Sequence, residues 1–194
     1  MRRTVPIQRF NDSRFSIQRP CPPALVHTEL DVMKFEQKIL SSETLPAWRE
    51  TLRQKGQVLV ATNGCFDILH LGHVTYLQQA REQGDALLVG LTSDVHVSAL
   101  KGPGRPVNSE RDRAAVLAAL ESVSGVYVFP EQDARSFLEL ARPDVYVKGG
   151  DYTIDTINQD ERRLLDGMGV RIVILGNVPG KSTTGILDKI IFAL

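Results

Sequence analysis

At 194 residues and 42% hydrophobic content, the chain has the length and composition of one globular domain with a buried core. Lys plus Arg balance Asp plus Glu, 23 against 23, so no global field favours nucleic acid or an anionic membrane, although a locally basic pocket is compatible. No apolar run approaches the roughly 18 residues of a membrane span, and Cys21 and Cys65 have neither metal-ligand nor CxxC spacing, which fits a reducing, cytoplasmic setting.

The first 20 residues carry Arg2, Arg3, Arg9, Arg14 and Arg19 against one acid, Asp12. A transit peptide can look like this, but no secretory apolar segment is present. Pro20, Pro22 and Pro23 oppose regular structure, so residues 1–37 read as a disordered extension before a single domain over 38–194. Thr44 is a candidate cap for a short helix, with Leu45, Trp48 and Leu52 on one face and Gly56 at its end. A strand over Gln57–Thr62 follows, and it breaks at Asn63-Gly64.

A helix is predicted from Gly72 to Glu82, with Tyr76, Leu77 and Ala80 turned inward and Gly84 closing it. Ala86–Leu91 is a short apolar run of the kind buried on both faces of a parallel sheet. Thr92-Ser93-Asp94 stands at its carboxyl end, and the glycines and prolines of Lys101–Pro106 predict a loop. Ser109, with Asp112 three residues on, resembles a capping box for a helix to Leu120. Strands are predicted at Val126–Phe129, Asp144–Lys148 and Arg171–Leu175, with helices over Ala134–Ala141 and a polar stretch Ile157–Met168 between them. Ser182-Thr183-Thr184 opens a last helix carrying Ile186, Leu187, Ile190 and Ile191. Five apolar strands alternating with helices give an α/β, Rossmann-like doubly wound parallel sheet in one domain.

In such folds ligands sit beyond the carboxyl ends of the strands. The unusual polar clusters all fall there: Asn63–His73, Thr92–Asp94, Lys101–Arg105, Lys148–Asp151 and Lys181–Thr184. His70 and His73 flank Gly72 where a strand turns into a helix, and a helix N-terminus offers unpaired N–H groups and the positive end of its dipole to an anion. Metal ligation and base catalysis remain open for the pair, but zinc wants a third close ligand and only Asp67 is near. Phosphate contact ranks first. No GxSxG elbow, GxxxxGK[ST] loop or GxGxxG turn is present, which speaks against hydrolase, P-loop and dinucleotide-dehydrogenase readings. Lys101 and Arg105 lie where cations can fold over a ligand, and Lys148 ends a buried strand where an anion partner is favoured.

From about Lys38 onward the chain resembles the cytidylyltransferase-like nucleotidyltransferase superfamily, whose [T/H]xGH signature is here His70-Leu71-Gly72-His73. Within it the resemblance is greatest to adenylyltransferase domains of bacterial ADP-heptose synthesis. It is carried by Asn63–His73, Lys101–Pro106, Arg142–Tyr152 and Ser182–Thr184. The chain departs from the usual pattern at Thr92 and at Lys181, and the helix after Tyr152 is more polar than usual, which leaves the sugar and base preference open.

The resemblance implies transfer of the adenylyl group of ATP to a heptose 1-phosphate or similar sugar phosphate, with release of pyrophosphate. His70, His73 and Lys101 would be catalytic. Asn63, Gly64, Cys65, Phe66, Gly72, Lys148, Gly149, Asp151, Ser182, Thr183 and Thr184 would bind the nucleotide. Asp67, Ser93, Asp94, Arg105 and Arg113 would contact the acceptor. Mg²⁺ would be carried by the triphosphate rather than by a protein metal set. The partners implied are ATP and the sugar phosphate, with no nucleic acid or membrane, in a cytoplasmic homodimer. No kinase module of the kind often joined to this domain is present in the sequence, so a separate kinase is expected to supply the acceptor. Two alternatives stay open: a cytidylyltransferase using CTP and glycerol 3-phosphate, and a non-catalytic nucleotide sensor.

Overall fold

The computed structural model describes residues 34–150, 152–176 and 178–192. The extension expected over 1–37 falls outside these residues up to position 33, and Phe35–Lys38 form a single 3-10 turn. The chain then alternates strand and helix. Its elements are β1 (Ile39–Leu40), α1 (Thr44–Gln54), β2 (Leu59–Gly64), α2 (Leu71–Arg81), β3 (Ala86–Thr92), α3 (Asp94–Lys101), α4 (Glu110–Ala118), β4 (Gly125–Phe129), α5 (Arg135–Ala141), β5 (Val145–Gly149), α6 (Gln159–Gly167), β6 (Arg171–Leu175) and α7 (Thr183–Phe192).

All strands run parallel in one six-stranded sheet, ordered β1-β4-β3-β2-β5-β6. Five strands were expected. The sixth is β1, whose two residues pair with Val126 and Tyr127 at the sheet edge, too short a run for side-chain alternation to reveal. Helix α3 was not expected, and at Lys101 it runs into the first residue of the loop predicted over Lys101–Pro106. Only Val97 of this helix is buried, while Val95 and Leu100 are 74% and 69% exposed, so no amphipathic stripe marks it. Lys101 therefore ends a helix rather than lying within a loop. Ser109 does cap α4 by accepting the Asp112 N–H, but the Asp112 carboxylate takes the Ser109 hydroxyl instead of completing a capping box.

Strand β3 is buried at every position, because both faces of the sheet are covered. Alternate residues of β2 feed two cores. Leu59 and Ala61 join Leu45, Phe137, Leu138 and Leu165 beneath α1, α5 and α6. Val60 joins Leu77, Leu87, Leu117 and Val147 beneath α2 and α4. Each of these leucine, valine and phenylalanine side chains contributes about 1.5–3 kcal/mol on burial. From β2 the chain steps outward through β3 to β4, then returns to the other side of β2 with β5 and β6. The carboxyl ends of β2 and β5 therefore flank the point where the winding reverses, the place such sheets offer to ligands.

Candidate functional site

A cavity of about 1500 Å³ opens at that reversal point. Single-ligand pockets run to roughly 300–1,000 Å³, so this one has room for two substrates. It straddles the sheet edge, and each face supplies a different set of groups.

On the α2 face, β2 ends at Gly64 and the chain turns through Phe66, a bulky residue held at a left-handed φ of 44°. That conformation costs about 1–3 kcal/mol. It tucks the Phe66 ring into the core at 6% exposure and against His73, edge-on at 5.2 Å. His70 enters α2 in extended backbone as its N-cap and makes no side-chain cap bond. The N–H groups of the first helical turn are thereby left to the cavity. The His70 and His73 rings stack, 3.8 Å between centroids and 20° apart in plane. Gly72 permits this crowding: a Cβ there would meet the His70 ring at 3.0 Å and Lys181 Cβ at 3.2 Å.

Burial, and then the neighbouring His70, push the His73 imidazole down to about 4. Burial and then the Lys181 charge also lower His70. Both rings are thus neutral hydrogen-bonding groups at pH 7. Their Nδ1 atoms are buried without a partner among the described residues, leaving hydrogen-bonding capacity for a ligand or water. The start of α7 faces them. Ser182 Oγ accepts the Gly185 N–H at 3.0 Å, and Thr183 Oγ1 donates to the Ile68 carbonyl at 3.3 Å, fixing α7 to the loop before α2.

On the opposite face, Lys148 Nζ donates to Asn63 Oδ1 at 2.8 Å and to the Tyr146 hydroxyl at 3.1 Å. Tyr146, fully buried, donates to Asn63 Oδ1 at 2.6 Å and lies 3.3 Å from Glu161 Oε2. Glu161, 4% exposed, accepts the Ala134 N–H at 3.0 Å through Oε1. Burial lowers the Lys148 ammonium below its ordinary value, with Glu161 and Cys65 pulling the other way. The two faces meet at Gly149. The Tyr76 ring of α2 packs where a Cβ would stand, and its hydroxyl bonds Thr62 Oγ1 at 2.6 Å and the Val147 carbonyl at 3.0 Å.

Most of the residues expected from sequence line this cavity. Asn63, Gly64, Cys65, Phe66, His70, Gly72 and His73 do so from β2 to α2. Lys148 and Gly149 do so from β5, Ser182, Thr183 and Thr184 from the start of α7 and the residue before it, Lys101 from the end of α3, and Arg105 from the α3–α4 connection. Asp151 lies outside the described residues. The residues expected to contact the acceptor are only partly brought to the cavity. Asp67 borders the cavity, but Oδ1 accepts the Val107 and Asn108 N–H groups and Oδ2 accepts Arg105 Nε at 2.5 Å. These bonds lower its carboxyl despite burial, and they make it the anchor of the 101–108 connection. Ser93, Asp94 and Arg113 do not line the cavity. The buried Arg113 clamps the carbonyls of Cys65, Thr92 and Asn108 and the Asp94 carboxylate, because its fork reaches three segments at once.

The sequence reading missed Tyr146, Glu161 and His96. Tyr146 sat in an apolar run and passed for core. Glu161 lay in a polar helix, although Ile157 and Leu165, four residues either side, put it on the buried face. His96 lines the cavity and shares a 3.1 Å bond with Ser93 Oγ. No group of three or more His, Cys, Asp or Glu suited to hold a metal ion occurs among the described residues.

Residues 61–186 match the family model described as cytidylyltransferase-like. The chain is 44% identical over 168 residues to the bifunctional protein HldE of Syntrophotalea carbinolica, covering 87% of this chain and 33% of that protein. It is 48% identical over 155 residues to the bifunctional protein HldE of Pseudomonas entomophila, covering 80% and 32%. The chain thus spans about a third of the length of the curated relatives it matches. Among solved structures, a lipopolysaccharide core biosynthesis protein from Thermoplasma volcanium superposes with a TM-score of 0.52 at 27% identity, covering 63% of this chain and 98% of that one. A pantoate-beta-alanine ligase from Francisella tularensis shares the fold alone, with a TM-score of 0.50 at 12% identity over 80% of this chain and 78% of that one. The HxGH turn at the reversal point of a parallel sheet and the match over 61–186 agree: the chain belongs to the cytidylyltransferase-like family.

Proposed function

We propose that this protein transfers the adenylyl group of ATP to a heptose 1-phosphate or a similar sugar phosphate. An oxygen of the sugar's phosphate attacks the α-phosphorus in line, the bond from the α-phosphorus to the bridging oxygen breaks, and pyrophosphate leaves. That nucleophile is already an anion at pH 7, so no general base is needed and the barrier falls by positioning and by charge neutralisation. The observation that carries this reading is one cavity joining the neutral His70–His73 pair, the start of α7 and the Lys148 ammonium across the sheet edge.

His70 and His73 donate hydrogen bonds to the triphosphate, and the first-turn amides of α2 and α7 hold its oxygens. Lys101, exposed at the end of α3, and the free part of the Arg105 fork close over the phosphates. Cys65, Phe66 and Gly149 shape the nucleotide's seat, with Asp151 near it in sequence. Mg²⁺ carried by the triphosphate would neutralise part of its charge. No helix among the described residues is long and apolar enough to cross a membrane. The cytoplasm, where ATP is abundant, is the proposed setting, and a homodimer the proposed assembly.

Pyrophosphate release is the test, measured with ATP, CTP and GTP against heptose 1-phosphates and glycerol 3-phosphate. Release with ATP and a heptose 1-phosphate is expected. Release only with CTP and glycerol 3-phosphate would replace the reading with a cytidylyltransferase, and no release with any pair would leave a nucleotide sensor.

A further inference from the structure

The Lys148 ammonium makes no ion pair among the described residues. Its two acceptors, Asn63 Oδ1 and the Tyr146 hydroxyl, are neutral. The anion that balances it lies one residue further back. Tyr146 has a single proton to share between Asn63 Oδ1 and Glu161 Oε2, so its hydroxyl couples the lysine to the carboxylate. Glu161 otherwise has one short bond, to the Ala134 N–H, and is almost wholly enclosed. A buried carboxylate of this kind costs several kcal/mol unless a cation offsets it. Lys148 and Glu161 therefore need one another, and they communicate through Tyr146.

We propose that Glu161 is a positioning residue: acting through Tyr146, it holds the Lys148 ammonium at the reversal point of the sheet, where Lys148 receives the phosphate of the acceptor sugar. The assignment rests on the adenylyl-transfer reading. It follows from the division of the cavity, since the α2 and α7 helix starts serve the triphosphate and the half-buried Lys148 ammonium stands on the opposite face. The groups facing Lys148 come from every element around it. They are Asn63 of β2, Cys65 of the loop after it, Tyr146 of β5, Glu161 of α6, and the Tyr152 ring 5.3 Å away. Tyr76 of α2 stands at Gly149 with its hydroxyl already bonded.

Two measurements test the proposal. Glu161→Gln keeps an acceptor for the Ala134 N–H while removing the charge. The expected result is a KM for the sugar phosphate raised roughly tenfold, a KM for ATP little changed, and an alkaline limb of kcat/KM moved to lower pH. Tyr146→Phe keeps the packed ring, breaks the same path, and is expected to act in the same direction. A role in folding alone would lower thermal stability, raise both KM values together, and leave the limb in place. That result would overturn the proposal.

The second readout does not depend on turnover. In ¹³C-dimethylated protein, the lysine resonance lost in Lys148→Arg identifies Lys148, and its pH titration is compared between wild type and E161Q. A titration at lower pH in E161Q supports the coupling, and an unchanged titration overturns it. If wild type gives no pyrophosphate with any substrate pair while the Lys148 titration still shifts, the adenylyl-transfer reading has failed and the coupling has not.

Discussion

On the α2 face of the sheet the cavity presents two stacked imidazoles that are neutral when no ligand is bound, beside backbone N–H groups at a helix start. On the α5–α6 face it presents a lysine and a carboxylate joined through a buried tyrosine. The first face develops positive charge only when an anion arrives to raise the imidazoles toward protonation. The second carries its charges already built and balanced. Removing a histidine should therefore act mainly on the transition state, whereas disturbing the lysine should act mainly on binding.

The largest effect is expected at the histidines. His73→Ala should lower turnover by about 10²-fold or more, by analogy with loss of one preorganised donor to developing charge. Steady-state kinetics on a variant with wild-type circular dichroism would check this, and near-normal turnover would remove the catalytic role of that face. Lys148→Met should raise KM for the sugar phosphate by roughly 10- to 100-fold, the worth of one charged hydrogen bond. Its effect on kcat should be smaller. A loss confined to kcat would erase the contrast between the two faces.

Where the faces meet, Gly149→Ala forces a Cβ into the Tyr76 ring. Relief requires the ring or the end of β5 to shift, with a destabilisation of about 1–3 kcal/mol in denaturant unfolding. The smallest effect is acid sensitivity. His73 titrates near 4 in the fold against an ordinary 6.5, so the unfolded chain takes up its proton first. The stability held by neutral His73 is complete above about 6.5 and is lost as pH falls toward about 4. His73→Gln should flatten that part of the stability curve by about 1–2 kcal/mol, allowing for solvent screening of a partly exposed ring. Chemical denaturation at a series of pH values would check it.

The sheet was legible because burial on both faces writes strands such as Ala86–Thr92 as continuous apolar runs between glycine and polar punctuation. The helix-start groups that line the cavity were legible for a related reason. His70, Gly72, His73 and Ser182–Thr184 sit at helix starts, where local sequence alone dictates geometry. Groups whose roles depend on distant partners were not. Asp67 and Arg113 look alike in sequence to ligand-binding residues, yet segments far along the chain engage both. Glu161 and Tyr146 are 15 residues apart and meet only because α6 folds back over β5. Helix α3 escaped notice because it turns apolar residues to the solvent and to the cavity, where periodicity has no core to report.

The central claim is that the acceptor's own phosphate oxygen attacks the α-phosphorus of ATP. It is tested most directly with a heptose 1-phosphate whose non-bridging phosphate oxygens are ¹⁸O. Mass spectrometry of the nucleotide-sugar product should find all of the label retained, with one labelled oxygen bridging the two phosphorus atoms and unlabelled pyrophosphate released. Loss of one label, or an unlabelled bridge, would contradict the account.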